Sequence, residues 1–402
     1  MPRIELPISK SIANRLLILQ AIHGDELMPV SDSMPDDVQI LHPALTTLHN
    51  TTQSNTTLHL SNCGTAMRFL TAYCAQLEGQ TVILDGIERM HHRPIGQLVD
   101  ALREIGADIE YLGEEGFPPL RIKGCILDKH RIVTINHPQS TQFVSALLLI
   151  GTNVQTDSTS PYITLTRTLI EQYISCRSQG VDCERGVVES NVVGVVDLDN
   201  LERDWSSAAF WYEYVALHGG EITLPGLSRD SLQGDKVVAD IFAHLGVHTI
   251  YTDEGITIKK DNEFLIQQHK QLNPTTLRGN QLHTASGAKA NNPCRSRELI
   301  RAEVVDIVVD NTLSLDFANC PDLYPAIALA CERLGIELCA TGVESLPLKE
   351  SDRLRAVAEH RTDSDHRMAM ALLIAGYEVD DTACISKSYP KFMEHFRQLQ
   401  GM

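Results

Sequence analysis

The sequence predicts an α/β protein, α+β in its detail, built from repeated units that each lay a helix against a sheet. Two observations carry that reading. The composition is that of a soluble globular chain with aliphatic cores, 43% apolar and 21% charged with only 5% aromatic residues. A recurring order of helix, strand, turn, strand and helix then runs along most of the chain, at a spacing typical of repeat architectures. A length of 402 residues suits two domains.

Residues 3–6 alternate as a short strand ended by Pro7, and Ser9 or Ser11 caps a helix whose apolar positions 12, 16, 17 and 19 keep helical spacing. A strand at 57–60 runs through the glycine turn Asn62-Cys63-Gly64 into a helix with Thr65 as its cap and Arg68 one turn in. Arg93 and Pro94 stand at the start of another helix, which yields to strands 107–111 and 120–123 joined through Gly113 and Gly116. His91 and His92 read as exposed loop residues. Strand 132–135 leads to a helix capped by the hydroxyls of Ser140 and Thr141, and Ser160-Pro161-Tyr162 opens the next. Asp204 caps a helix that Gly219 and Gly220 end. Segments 235–259 and 321–340 carry the pattern on, residues 175–200 have poor periodicity, and the polar run 261–300 reads as an insert.

Charge and cysteine content exclude several functions. A net charge of −18 disfavours general binding to nucleic acid or anionic membranes, so an anionic ligand must meet a local basic pocket. The cysteines are scattered, with no C-x-x-C pair and no histidine at metal spacing, as expected for reduced thiols in a cytoplasmic protein without a metal. No apolar run reaches the ~18 residues of a membrane span, and the N-terminus has no export pattern.

The stretch Lys349-Glu350-Ser351-Asp352-Arg353 reads as the first turn of a helix, and Asp365 caps another whose first turn carries Arg367. Acids suit the positive end of a helix dipole, whereas cations placed there build a site for an anion. Taken singly, each such Lys or Arg is as well read as a solvated surface charge. The recurrence at Lys10, Arg15, Arg68, Arg93, Arg353 and Arg367 argues for a shared site for an anion.

In order, S-K-S-x-x-N-R (9–15), N-C-G-T-A-M-R (62–68), H-R-P-I-G (92–96), S-T-Q-F (140–143), P-D (321–322), K-E-S-D-R (349–353), D-H-R-M-A-M (365–370) and K-S-Y-P (387–390) closely resemble the 5-enolpyruvylshikimate-3-phosphate synthase family. The related UDP-N-acetylglucosamine enolpyruvyl transferases share the fold but begin with a K-N-A motif that this chain lacks. The resemblance implies the enolpyruvyl transferase fold: two similar domains of repeated βαβαββ units, inner helices covered by outer sheets, in an inverse α/β-barrel-like arrangement. It assigns residues 1–9 with 228–402 to one domain and 10–227 to the other, with the ligand cleft between them. The implied reaction transfers the enolpyruvyl group of phosphoenolpyruvate to the 5-hydroxyl of shikimate 3-phosphate, in aromatic amino acid biosynthesis, without cofactor or metal, in a monomer.

By resemblance, Lys10, Ser11, Arg15, Ser140, Thr141, Gln142, Tyr162, Asp322 and Lys349 bind shikimate 3-phosphate. Lys10, Asn62, Gly64, Arg93, Gln142, Arg353, Arg367 and Lys387 surround phosphoenolpyruvate. Asp322 is the candidate base for the hydroxyl and Glu350 the candidate for proton transfer at C3, with Lys10 or Lys387 assisting; Asp352 orients Arg353. Burial and neighbouring cations push both carboxylates in opposite directions, leaving their protonation open. The resemblance also implies a glyphosate target in which Gly64→Ala weakens glyphosate more than shikimate 3-phosphate.

The chain departs from that pattern after His360, where the hairpin expected before Asp365 has no room. Its loss is expected to bare apolar helix surface and to strain the geometry between Glu350 and Arg367. Three readings follow: an active synthase, an inactive or binding-only relative with a damaged C-terminal half, or a transferase acting on another acceptor.

Overall fold

The computed structural model describes residues 2–50, 55–178, 201–261, 305–309 and 311–401. The polar run expected as an insert therefore lies, apart from Asp261, outside the described residues, as does most of 175–200.

One unit is complete. Strand β1 (Asn55–His59), helix α3 (Gly64–Ala75), β2 (Thr81–Asp85), α4 (Gly96–Glu104), β3 (Asp108–Tyr111) and β4 (Leu120–Lys123) follow one another as βαβαββ. They close a sheet of order β1-β2-β4-β3 in which β1 and β2 are parallel and the other pairs antiparallel. Alternation places Val82, Leu84, Leu120 and Ile122 on the buried face, which the helices cover. Helices α1 (Lys10–His23), α3 and α5 (Thr141–Leu149) are buried nearly all round, which makes them inner elements; α2 (Asp36–Asn50) flanks α1. Parallel β5 (Ile132–Thr134) and β6 (Asn153–Gln155) precede α6 (Pro161–Ser178).

The C-terminal half repeats the scheme with α7 (Trp205–His218), β7 (Glu221–Pro225), α8 (Val238–Ala243), β8 (Val247–Thr252) and β9 (Gly255–Lys260), sheet order β7-β9-β8. β10 (Val305–Val309), β11 (Thr312–Asp316), α9 (Tyr324–Leu334) and β12 (Glu337–Thr341) follow, with β11 and β12 parallel. No strand follows β12 among the described residues: α10 (Arg353–Glu359) passes through a tight turn into α11 (His366–Ile374), ahead of α12 (Phe392–Gln400). His360 ends α10 in the left-handed region, φ 53°, and Arg361 N–H returns to the Ala356 carbonyl at 2.9 Å. Thr362 bonds to Asp380. The expected exposure of apolar surface does not occur, because Ala356, Val357, Met368, Met370 and Leu372 are all buried and the 3-10 turn Ala383–Lys387 packs on α11.

The apolar residues form two separate cores. One runs from Ile8 to Tyr173; the other takes Ile4, Leu6 and the chain from Trp205 to Leu399. The polypeptide passes between them at an antiparallel contact, where Ser9 N–H donates to the Glu202 carbonyl (2.9 Å) and Asp204 N–H to the Pro7 carbonyl (3.0 Å). This moves the second crossing from the expected 227 to about 203, because the Trp205, Phe210 and Trp211 side chains of α7 fill the second core. Gln233 staples both passages, accepting from Ser9 Oγ (2.8 Å) and Trp205 N–H (3.2 Å) and donating to the Arg203 carbonyl (2.8 Å). Residues 3–6 form no strand and contribute only a bridge between Arg3 and Thr223. No helix among the described residues is long and apolar enough to cross a membrane. Cys63, Cys74, Cys320 and Cys331 are buried free thiols.

Candidate active site

Helix starts from both halves line one cavity. Lys10, Ser11 and Arg15 come from α1; Gly64, Thr65 and Arg68 from α3; Ser140, Thr141 and Gln142 from the start of α5; and Tyr162 from α6. Arg93 adds to this wall, and Asp322, Lys349, Glu350, Arg353 and Arg367 form the facing one. Helix N-termini and cations thus border the same space, the arrangement that receives phosphate and carboxylate groups. Asn62 and Lys387 do not line the cavity. They stand behind it, Lys387 Nζ donating to the Asn62 carbonyl (2.9 Å) and pairing with Glu350 Oε1 (3.0 Å).

On the first wall, Ser140 caps α5 by accepting from Gln142 N–H. The Gln142 side-chain carbonyl accepts from Arg68 (2.8 Å) and its amide donates to Thr65 Oγ1 (3.0 Å), so the amide has a fixed direction. Thr65 therefore serves Gln142 rather than capping α3; that cap is the Cys63 sulfur, which accepts from Ala66 N–H. Arg15 is buried and held by Thr166 Oγ1 (2.7 Å), Ser145 Oγ (3.2 Å) and the Ser11 carbonyl (2.7 Å); burial pulls its guanidinium down to about 10. Lys10 Nζ lies 3.5 Å from Asp37 Oδ2. Burial raises the Asp37 carboxyl, but Lys10 and Lys387 outweigh it and hold the group below its usual value. The Arg93 guanidinium covers the α carbon of Gly64, where a Cβ would sit 2.5 Å from Nη1.

The second wall is an ion network. Asp322 Oδ1 accepts from Arg353 Nη1 (2.7 Å) and faces Lys349 Nζ (3.5 Å), while Oδ2 accepts from Arg367 Nη2 (3.0 Å). Burial opposes ionisation of Asp322, yet Arg367, Lys349 and Arg353 drive its carboxyl well below the ordinary range. Glu350 is placed between Lys387 and His366, whose Nδ1 lies 2.8 Å from Oε2. Burial again opposes ionisation, and His366, Lys387 and Lys10 overcome it, so Glu350 also sits well below its usual value. An ionised Glu350 only accepts, which puts the His366 proton on Nδ1 and leaves the buried Nε2 without a partner among the described residues. Burial lowers the His366 pKa from its usual value, although Glu350 pulls it the other way. For both carboxylates the cations outweigh burial, so each pKa lies below its ordinary value.

Lys349 and Glu350 do not lie in a helical first turn, as expected, but in the irregular residues 349–352 between a 3-10 turn, Leu346–Leu348, and α10. Asp352 does not orient Arg353: it caps α10 through Arg355 N–H. That work falls to Asp365, which accepts from Arg353 Nε (2.8 Å) and Ser351 Oγ (3.2 Å) while capping α11 through Arg367 N–H. Sequence reasoning missed Asp37, His366 and Arg89 as site-forming residues. His366 stood inside a noted motif; Asp37 and Arg89 carry no local signal. His91 is half-buried in the turn Glu88–His92 and pairs with Asp85 (2.8 Å). Glu350, Asp365 and His366 have the spacing of a metal site, but Lys387, Arg353 and the shared hydrogen bonds already occupy their donor atoms, so the set fits the ion network better than a dication.

The family model described as EPSP synthase (3-phosphoshikimate 1-carboxyvinyltransferase) matches residues 2–278 and 358–396. A 3-phosphoshikimate 1-carboxyvinyltransferase of Bacteroides fragilis is 34% identical, over 98% of this chain and 94% of its own length. The Cellvibrio japonicus protein of the same name is 31% identical, over 98% and 96%. An EPSP synthase structure from Acinetobacter baumannii superposes with a TM-score of 0.58 at 18% identity, covering 98% of this chain and 95% of that one, and so shares the fold. With matching sequence along nearly its whole length and the expected motifs gathered around one cationic cavity, the chain belongs to the EPSP synthase (3-phosphoshikimate 1-carboxyvinyltransferase) family.

Proposed function

We propose that the chain transfers the enolpyruvyl group of phosphoenolpyruvate to the 5-hydroxyl of shikimate 3-phosphate, giving 5-enolpyruvylshikimate 3-phosphate and phosphate. The observation that carries this reading is the placing of Asp322 and Glu350 on one wall of a cavity in which cations outnumber carboxylates. Shikimate 3-phosphate would lie against Lys10, Ser11, Arg15, Ser140, Thr141, Tyr162 and Lys349. Phosphoenolpyruvate would lie toward Gly64, Arg93, Gln142, Arg353 and Arg367, with Lys387 behind. The domains would divide at the double crossing, residues before Ser9 joining those after about 203, with the cleft between.

In the addition step the hydroxyl oxygen bonds to C2 of phosphoenolpyruvate, its proton passes to the charged Asp322, and C3 gains a proton. In the elimination step the C2–O bond to phosphate breaks and C3 gives its proton back. Glu350 is suited to the transfers at C3, although its cationic neighbours hold its pKa below the usual value. A bound phosphoenolpyruvate anion offsets the field of Lys387 and Lys10, which raises Glu350 toward a pKa at which it can deliver a proton. Donors aimed at developing charge in a dry cleft supply the remaining stabilisation.

The short turn between α10 and α11 supports activity over a binding-only role, since it still lets Asp365 hold Arg353 and His366 hold Glu350. Phosphate release on mixing phosphoenolpyruvate with shikimate 3-phosphate tests the proposal. Release dependent on both substrates is expected. Binding of both by calorimetry without release would overturn it, and release with a different acceptor only would redirect it.

A further inference from the structure

We propose that Arg89 is a positioning residue for the proton transfers at C3, holding the backbone that carries Glu350 from the opposite half of the molecule. This rests on the reaction proposed above. Arg89 lies in the 3-10 turn Glu88–His92 that follows β2, on the first core, and is half-buried. Its Nε donates to the Glu350 carbonyl (3.0 Å) and its Nη2 to the Lys349 carbonyl (2.9 Å).

Three facts give that contact its meaning. Residues 349–352 belong to no helix or strand, so helical hydrogen bonding does not fix these two carbonyls. The planar guanidinium presents its donors in a rigid fork, which sets the direction of the peptide units and not merely their distance. Finally, Arg89 does not line the cavity, so it acts through Glu350 and Lys349 and not on the substrates. His366 and Lys387 grip the Glu350 carboxylate from the second half, and Arg89 grips its main chain from the first. Glu350 is thereby aimed only when the two halves are together, which ties the chemistry to the assembled cleft.

The test compares Arg89→Ala and Arg89→Lys with the wild type in full-length protein, reading kcat, KM for each substrate, Tm, and amide hydrogen exchange of residues 348–353. Arg89→Ala should lower kcat roughly 10- to 100-fold, the scale of a 1 Å misplacement. Both KM values should stay within about threefold and Tm should hold. Arg89→Lys, which can keep one of the two bonds, should recover part of the rate. Exchange at 348–353 should quicken in Arg89→Ala. An unchanged kcat, a rate loss matched by a fall in Tm in both variants, or unchanged exchange would overturn the role. Wild-type turnover decides the proposed reaction separately, and the exchange measurement reads the Arg89 contact whether or not turnover is seen.

Discussion

At the scale of single residues, the site is a balance of charge, and its consequences can be worked out group by group. Gly64 is small because the Arg93 guanidinium lies on it; a Cβ there would come 2.5 Å from Nη1, and Arg93 is tethered to the Asn62 carbonyl at 3.3 Å. Gly64→Ala should therefore push Arg93 aside and raise KM for phosphoenolpyruvate by about tenfold, ~1.4 kcal/mol, while shikimate 3-phosphate binding measured by calorimetry is unchanged. Asp322→Asn and Glu350→Gln should each cut kcat by about 10²- to 10⁴-fold with both substrates still bound. The same carboxylates shape acid stability. Their folded pKa values lie below the ordinary 3.8 and 4.5, so the unfolded chain takes up protons first as pH falls. Their stabilising contribution is complete above those ordinary values and is lost as pH drops through the folded ones. Below about pH 4.5 the Tm of the wild type should fall more steeply than that of Glu350→Gln, measured by thermal melts between pH 7 and pH 3.

At the scale of elements, the turn between α10 and α11 shows how much of the site is long-range. The motifs made the helix starts legible: Ser140, Asp204 and Asp365 cap where their types and the following apolar periodicity place them. The partners of those helix starts were not legible, because Arg353 finds Asp365 and Asp322 through tertiary packing rather than the neighbouring Asp352. Cys63 displaced Thr65 as cap for a similar reason, since Gln142 from α5 claims the threonine hydroxyl. The shortened unit was visible as missing sequence, but not that its turn would keep apolar surface covered. Asp365 carries this element: it caps α11 and neutralises the buried Arg353 at once. Asp365→Ala should destabilise by about 3–5 kcal/mol in urea unfolding, because it leaves a cap open and a buried cation short of a partner. Asp365→Asn, which preserves the cap and loses only the charge, should fall between that variant and the wild type.

At the scale of the whole molecule, the two cores are joined by the double chain crossing and by side-chain contacts such as those of Arg89 and Lys387, which makes their coupling measurable. Both tryptophans, Trp205 and Trp211, are fully buried in the second core, so tryptophan fluorescence reports that half alone while far-ultraviolet circular dichroism reports both. The staple by Gln233 and the contacts of Arg89 and Lys387 join the halves, yet the cavity lining keeps more cations than carboxylates, an excess that a ligand's anionic groups would offset. Without ligand, guanidinium unfolding should therefore give midpoints that differ between the two probes, the signature of halves that unfold separately. If shikimate 3-phosphate is held from both walls, as proposed above, it should bring the midpoints together. At about 100 times its Kd it should add roughly 2.7 kcal/mol to the assembled state. Coincident midpoints without ligand would show that the two cores already fold as one unit. A gap that ligand leaves unchanged would show that shikimate 3-phosphate is held by one half and does not bridge the cleft.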